Sequence, residues 1–154
     1  MRVFELKVPP LAVALFVGAL MWLATWATPD LQFTIPARDL LTIGFACAGI
    51  TIIGFGVASF RRARTTVNPM KPALSSALVV SGIYALSRNP MYLGFLLILI
   101  GWAIFLSHPL AFLLAPAFFV YINRFQIEPE DKALTSLFGD EFLSYTSRVR
   151  RWLL

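Results

Sequence analysis

Between Leu40 and Phe60 the chain runs for twenty-one residues without a charged side chain. Wound as a helix at 1.5 Å per residue, that run reaches roughly 32 Å, against a bilayer hydrocarbon core of about 30 Å. A helix also satisfies its own backbone N–H and C=O groups, as a lipid-exposed segment must. The rest of the sequence has to be arranged around a membrane crossing. Bulk composition agrees, since 58% of residues are hydrophobic and only 14% charged, and the mean hydropathy is +0.76, well outside the range of soluble globular domains. A chain of 154 residues has room for about four helical spans and one short extramembrane segment, without a separate soluble catalytic domain. The expected fold is an all-α integral membrane protein forming a single domain over residues 1–154.

The other expected spans are residues 10–27, 91–106 and 110–122, beside 40–60. The first follows Arg2 and Lys7, as a secretory signal would. Its apolar region is too long for one, however, and Ala24-Thr25-Trp26-Ala27 lacks small residues at both cleavage-determining positions. Trp22 and Trp26 read instead as an interfacial anchor. Only Ser107-His108-Pro109 separates the last two runs, which should form a tight helical hairpin with Pro116 bending its second arm. That leaves a connector over 61–90 and a tail over 123–154.

Drawing these spans puts Arg2, Lys7, Arg61, Arg62, Arg64, Lys71, Arg88, Arg124, Lys132, Arg148, Arg150 and Arg151 on one side of the bilayer and Arg38 alone on the other. By the positive-inside rule both termini, the connector and the tail are expected on the cytoplasmic face; short loops and no cleavable signal point to the cytoplasmic membrane of a bacterium or archaeon, and an endoplasmic reticulum location satisfies the same physics. Attraction to anionic membrane lipids accounts for the net charge of +5 without any nucleic acid. No Asp, Glu, Lys, Arg or His falls inside a span, which argues against a proton- or ion-coupled transporter. Cys47, the only cysteine, reads as a small packing residue mid-span. Gly44, Ala48, Gly49, Gly54 and Gly56 form a small-residue surface for close helix packing, or for pairing as a homodimer. His108, the lone histidine, falls on the far side from almost every other ionisable group and reads as a turn residue.

Polar chemistry is therefore confined to the cytoplasmic edge. Arg88-Asn89-Pro90 stands directly before the third span. Asn is a favoured N-cap and Pro a favoured first helical residue, so capping explains the pair. The same placement sets the positive end of a helix beside a fixed guanidinium, which suits a carboxylate or phosphate. The tail supplies Glu128, Glu130 and Asp131 around Pro129, then Leu134, Phe138, Phe142, Tyr145, Val149 and Trp152 at amphipathic helical spacing. Acidic residues in a first turn also offset the helix dipole, and Gly139 can divide the tail into two short helices.

In order and spacing, TTVNP from Thr65, SGIYALSRNPMYLG from Ser81 and EPEDKALTSLFGDEFLSYTSRVRRWL from Glu128 resemble the membrane methyltransferases of the isoprenylcysteine carboxyl methyltransferase family, with its bacterial relatives and the phospholipid N-methyltransferases. The resemblance covers roughly Arg64 to Trp152. It implies transfer of a methyl group from S-adenosylmethionine to a lipophilic acceptor entering from the bilayer. It marks Tyr84, Arg88, Asn89, Pro90, Tyr92, Gly94, Glu130 and Asp131 as cofactor-site positions. Arg88, Asn89 and the start of the third span would serve the cofactor carboxylate, Glu130 its ammonium or a ribose hydroxyl, and Tyr92, Phe138 and Tyr145 would wall the purine. Arg124 would hold an anionic acceptor or anchor the interface. Asn89 stands where the prenylcysteine enzymes usually carry His, and Asp131 where they carry a second Glu, so the acceptor stays open among a carboxylate, a thiol and a phospholipid amine. A membrane scaffold with a protein-binding tail would show the same spans, but would not require Glu130 to face Arg88 across a pocket.

Overall fold

The computed structural model describes residues 6–65, 70 and 75–153. Arg2, Lys71 and residues 66–69 of the TTVNP segment lie outside the described residues. The described helices are α1 (Pro10–Ala27), α2 (Arg38–Arg62), α3 (Pro90–Leu106), α4 (Pro109–Ile122), α5 (Glu128–Phe138) and α6 (Asp140–Arg148). Short 3-10 turns at Pro29–Leu31 and Gly82–Ala85 fill two of the connections. Among the described residues there is no strand.

The boundaries differ from the sequence expectation in one place that matters. Residues 110–122 were expected to form a short separate arm with the tail beginning at 123. Instead a wide π-helical turn at Asn123–Ile127 carries α4 into α5, and Pro109–Phe138 runs as thirty helical residues. Pro129 permits this because of where it falls. Proline has no N–H to offer the carbonyl four residues back, and its ring crowds that carbonyl. The widened turn accommodates the ring, and the Phe125 carbonyl, to which Pro129 has no N–H to donate, accepts the Leu6 N–H at 3.1 Å. The helix break is thus replaced by a tie to the chain's beginning.

Three helices, Pro10–Ala27, Arg38–Arg62 and Pro109–Phe138, are long and apolar enough to cross a membrane, and Pro90–Leu106 is a shorter apolar helix. Thirty residues extend about 45 Å, so α5, with Glu128, Glu130, Asp131 and Lys132, lies beyond the apolar stretch. The tail is divided, as one of the two expectations had it, by Gly139 at φ +51° and ψ −125°, a conformation closed to residues with a Cβ.

Packing explains the glycines. Gly49 and Gly94 bring α2 and α3 into backbone contact: a Cβ on Gly49 would lie 2.6 Å from the Gly94 carbonyl oxygen. Gly56 receives Met91, and Gly101 receives Phe45. Gly44 and Gly54 have nothing within 4 Å, so only part of the small-residue surface is used within the chain. Cys47, expected as a packing residue, is exposed. On the other flank of α3, Val13, Val17 and Met21 of α1 join Leu99, Ala103, Phe118 and Ile122 in one buried cluster, and Trp102 donates to the Gly18 carbonyl at 3.0 Å.

The hairpin turn is tight, with Ser107 in the left-handed region as the cap of α3. His108 does more there than fill a turn. Its ring is fully buried, its Nδ1 accepts the Leu110 N–H, and its Nε2 lies 2.9 Å from the Thr28 carbonyl oxygen and 3.1 Å from the Thr28 hydroxyl. A ring that accepts at Nδ1 carries its N–H at Nε2, which here faces the Thr28 carbonyl. It locks the end of α1 to the start of α4.

Candidate functional site

At the opposite end of the bundle, three segments distant in sequence converge: residues 82–90 before α3, the start of α5, and the chain after α6. Asn89 occupies the N-cap position of α3, and Pro90 its first residue, fully buried. Contrary to the capping expectation, the Asn89 side chain makes no cap bond. Its Nδ2 donates to the Arg151 carbonyl at 3.3 Å, and the Ser87 hydroxyl donates to the same oxygen at 3.0 Å. The Arg88 N–H reaches the Arg150 carbonyl at 2.9 Å. Further along, the Trp152 indole donates to Asn123 Oδ1 at 3.1 Å and its ring lies 4.9 Å from that of Phe119. The last residues therefore form a strap across the loop that starts α3.

The two acidic residues of α5 divide their tasks, and not as expected. Arg88 and Glu130 were expected to face each other across a pocket, and the direct contacts are made with other partners. Arg88 Nη1 pairs with Asp131 at 3.4 Å, and Arg151 Nη2 with the same carboxylate at 2.9 Å. Glu130 is turned toward α3, where its Oε1 accepts the Tyr92 hydroxyl at 2.7 Å and Gln126 Nε2 at 3.1 Å. The reason lies in the spacing: adjacent helical residues diverge by about 100° and cannot face the same partner. Burial outweighs the two hydrogen bonds and raises the Glu130 carboxyl to about 7, with Asp131 contributing in the same direction.

Tyr84 and Tyr145 are buried together, the Tyr145 hydroxyl donating to the Tyr84 carbonyl at 2.6 Å, and Phe60 meets Tyr84 edge-on at 5.3 Å. Burial pushes both phenols above their ordinary range. Tyr145 thus braces α6 against the loop. Phe138 ends α5, partly buried, and Gly94 lies against Gly49 and Ile53 as a packing contact. Arg124 pairs with Glu128 one helical turn away, both more than one third exposed, and the structure joins it to neither the Asp131 nor the Glu130 cluster. An open groove of about 500 Å³ is lined by Glu128, Asp131, Lys132, Thr135, Ser136 and Arg151.

Arg88 Nε is buried with no hydrogen-bond partner among the described residues. An unpaired guanidinium N–H beside a helix N-terminus suits a carboxylate. Ser87, Asn123, Gln126 and Arg151 carry much of this geometry, yet sequence reasoning passed over them as site residues. Only the i to i+4 relation of Gln126 to Glu130 was visible in advance.

The family model described as phospholipid methyltransferase matches residues 40–141, from the start of α2 into α6. A Haemophilus influenzae protein of unknown function is 49% identical over 63 residues, which are 41% of this chain and all of that protein. Protein-S-isoprenylcysteine O-methyltransferase B of Arabidopsis thaliana is 36% identical over 75 residues, 47% of this chain and 36% of the plant protein. The enzyme named protein-S-isoprenylcysteine O-methyltransferase in Schizosaccharomyces pombe is 25% identical over 119 residues, 77% of this chain and 50% of the yeast protein. The chain thus spans about a third to a half of the length of these two methyltransferases. No solved structure matches it. The matched segment contains most of α2 to α5 together with Arg88, Tyr92, Glu130 and Asp131, and on that match the chain belongs to the phospholipid methyltransferase family.

Proposed function

We propose that residues 1–154 act as one unit that transfers a methyl group from S-adenosylmethionine to a lipophilic acceptor at the cytoplasmic membrane face. The observation that carries this reading is the convergence of the RNPMY segment and the EPED segment: Tyr92 on Glu130 at 2.7 Å, and Arg88 on Asp131 at 3.4 Å. S-adenosylmethionine presents a carboxylate, an ammonium and ribose hydroxyls, and the cluster offers complementary groups. Arg88 Nε and the first turn of α3 suit the carboxylate, while Glu130 suits the ammonium or a ribose hydroxyl.

When bound, the cofactor supplies a methyl group on a sulfonium, already activated for in-line displacement. The chain's part is alignment and removal of water rather than acid–base work. The strap over residues 87–89, with Trp152 on Phe119, screens the start of α3 from solvent. Access for an acceptor's apolar part follows from the packing of α2, which bears chiefly on α3 and leaves Ile43, Ile50 and Phe55 exposed toward the bilayer. The basic residues gathered at one end of the helices support a cytoplasmic placement of both termini. The chemistry requires no nucleic acid.

Calorimetric titration of purified protein with S-adenosylhomocysteine tests the reading without a guess at the acceptor. One saturable site per chain, weakened at least tenfold by Glu130→Gln, is the expected result. Absence of binding in lipid nanodiscs as well as in detergent would overturn it.

A further inference from the structure

Gln126 lies in the π-helical turn, almost wholly buried, on the inward side with Ile122 and Ile127, both fully buried. A buried amide in such surroundings costs stability unless its hydrogen bonds are made. Its Nε2 bonds to Glu130 Oε1 at 3.1 Å, the same oxygen that accepts the Tyr92 hydroxyl at 2.7 Å. Among the described residues Oε2 of Glu130 accepts no hydrogen bond. Two donors on one oxygen fix the plane of the carboxylate and leave its other oxygen for a ligand.

We infer that Gln126 is a positioning residue for the cofactor site, holding Glu130 in one rotamer and in its ionised form so that Oε2 is presented to a cationic or hydroxyl group of the cofactor. This rests on the methyltransferase reading and deepens it. The widened turn is part of the device. Pi-helical turns insert one residue into an α-helix and shift the face presented by all that follows, and so turn Glu130, which shares a helix face with Gln126 at i and i+4, toward Tyr92.

Ionisation is where the arrangement can be read. Hydrogen bonds donated to a carboxylate favour its charged form, and Gln126 acts in that sense on Glu130, against burial. The other groups facing Glu130 are Tyr92 from α3, Tyr84 from the turn before it, and Asp131 on its own helix, the last engaged by Arg88 and Arg151. Phenols ionise near 10 or above. Tyr84 is pushed further up by burial.

The experiment is the affinity of the full chain for S-adenosylhomocysteine, measured calorimetrically from pH 5 to 9. Wild-type affinity should fall as pH drops through the ionisation of Glu130, and Glu130→Gln should abolish that fall. Gln126→Leu removes the donor and should move the midpoint up by roughly half a unit to one unit. Gln126→Arg replaces it with a charged donor and should move the midpoint down. A residue that only fills space would weaken binding in both variants without opposite displacements. Equal midpoints in all three proteins, or a wild-type pH dependence that survives Glu130→Gln, would overturn the inference while leaving the cofactor site standing. Should the leucine variant fail to fold, the arginine variant decides by the sign of its shift alone. Absence of binding by wild type at every pH would overturn the methyltransferase reading, and this inference with it.

Discussion

Replacing Gly94 by alanine adds one methyl group where α2 and α3 touch. The new Cβ would lie 2.5 Å from Ile53 Cγ1 and 2.7 Å from the Gly49 carbonyl oxygen, whereas ordinary contact begins at 3.4 Å. The isoleucine can turn aside, but the carbonyl is fixed in a hydrogen-bonded helix. The two helices must therefore part locally by roughly 1 Å, and close-packed interiors resist such displacements. Overpacking of this kind costs about 1–3 kcal/mol. Alanine also returns about 0.5–1 kcal/mol relative to glycine inside a helix. That return is common to every helical glycine, so Gly54→Ala, which meets nothing within 4 Å, carries it alone. The two variants should differ by about 1–3 kcal/mol, Gly94→Ala being the less stable. Unfolding by increasing fractions of sodium dodecyl sulfate in mixed micelles would measure the difference. Gly49→Ala should match Gly94→Ala, since its Cβ meets the same contact from the other side at 2.6 Å, and the double variant should fall short of additivity. If Gly94→Ala unfolds with Gly54→Ala, backbone contact does not hold these helices together. If it selectively abolishes S-adenosylhomocysteine binding while Gly49→Ala does not, Gly94 serves the cofactor directly.

Asp131→Asn leaves two guanidinium groups without their shared carboxylate, and it should cost about 1–3 kcal/mol while freeing the strap. Trypsin cleavage after Arg150 and Arg151 should accelerate in that variant, and unchanged cleavage would mean the strap is held without the ion pairs. His108→Ala removes the lock between α1 and α4 at the far end of the bundle. It should lower stability by about 1–3 kcal/mol with little effect on ligand affinity, and a large loss of affinity in a folded variant would contradict the assigned role. The Glu130 carboxyl, raised from 4.5 to about 7, binds its proton more tightly in the folded protein than in the unfolded chain. Ligand-free stability should therefore be highest below the ordinary carboxylate pKa and should decline as pH rises through about 7. The decline is on the order of 1–2 kcal/mol, less than the full shift because the carboxylate keeps some contact with solvent. Glu130→Gln should flatten that slope in pH-dependent micellar unfolding. A slope that persists in this variant would belong to another group.

What was legible in the sequence was whatever a helix enforces locally. The run from Leu40 to Phe60 demanded α2, Pro90 and Pro109 opened α3 and α4, and Gly139 divided the tail because its backbone angles exclude a Cβ. Continuity through Pro129 was not legible, because the wide turn that accommodates it is tied to Leu6, more than a hundred residues away, which donates to the carbonyl that Pro129 cannot serve. The site shows the same division. Arg88, Glu130 and Asp131 stood out by charge and position and Tyr92 through the family resemblance, but which acidic residue contacts Arg88 directly was not legible. Arg88 was set across a pocket from Glu130, and the rotation between adjacent helical residues turns Asp131 to Arg88 and Glu130 to Tyr92. Which of the two meets the arginine is decided by the helical phase of α5, and that phase is set upstream in the π-helical turn. Arg151 could not be recognised at all, since its partners become neighbours only when the strap folds back. Deletion of Phe125, restoring ordinary helical geometry in the turn, would rotate α5 by about 100°, setting Asp131 where Glu130 meets Tyr92 and Lys132 where Asp131 meets Arg88. It should abolish cofactor binding with every site residue still present.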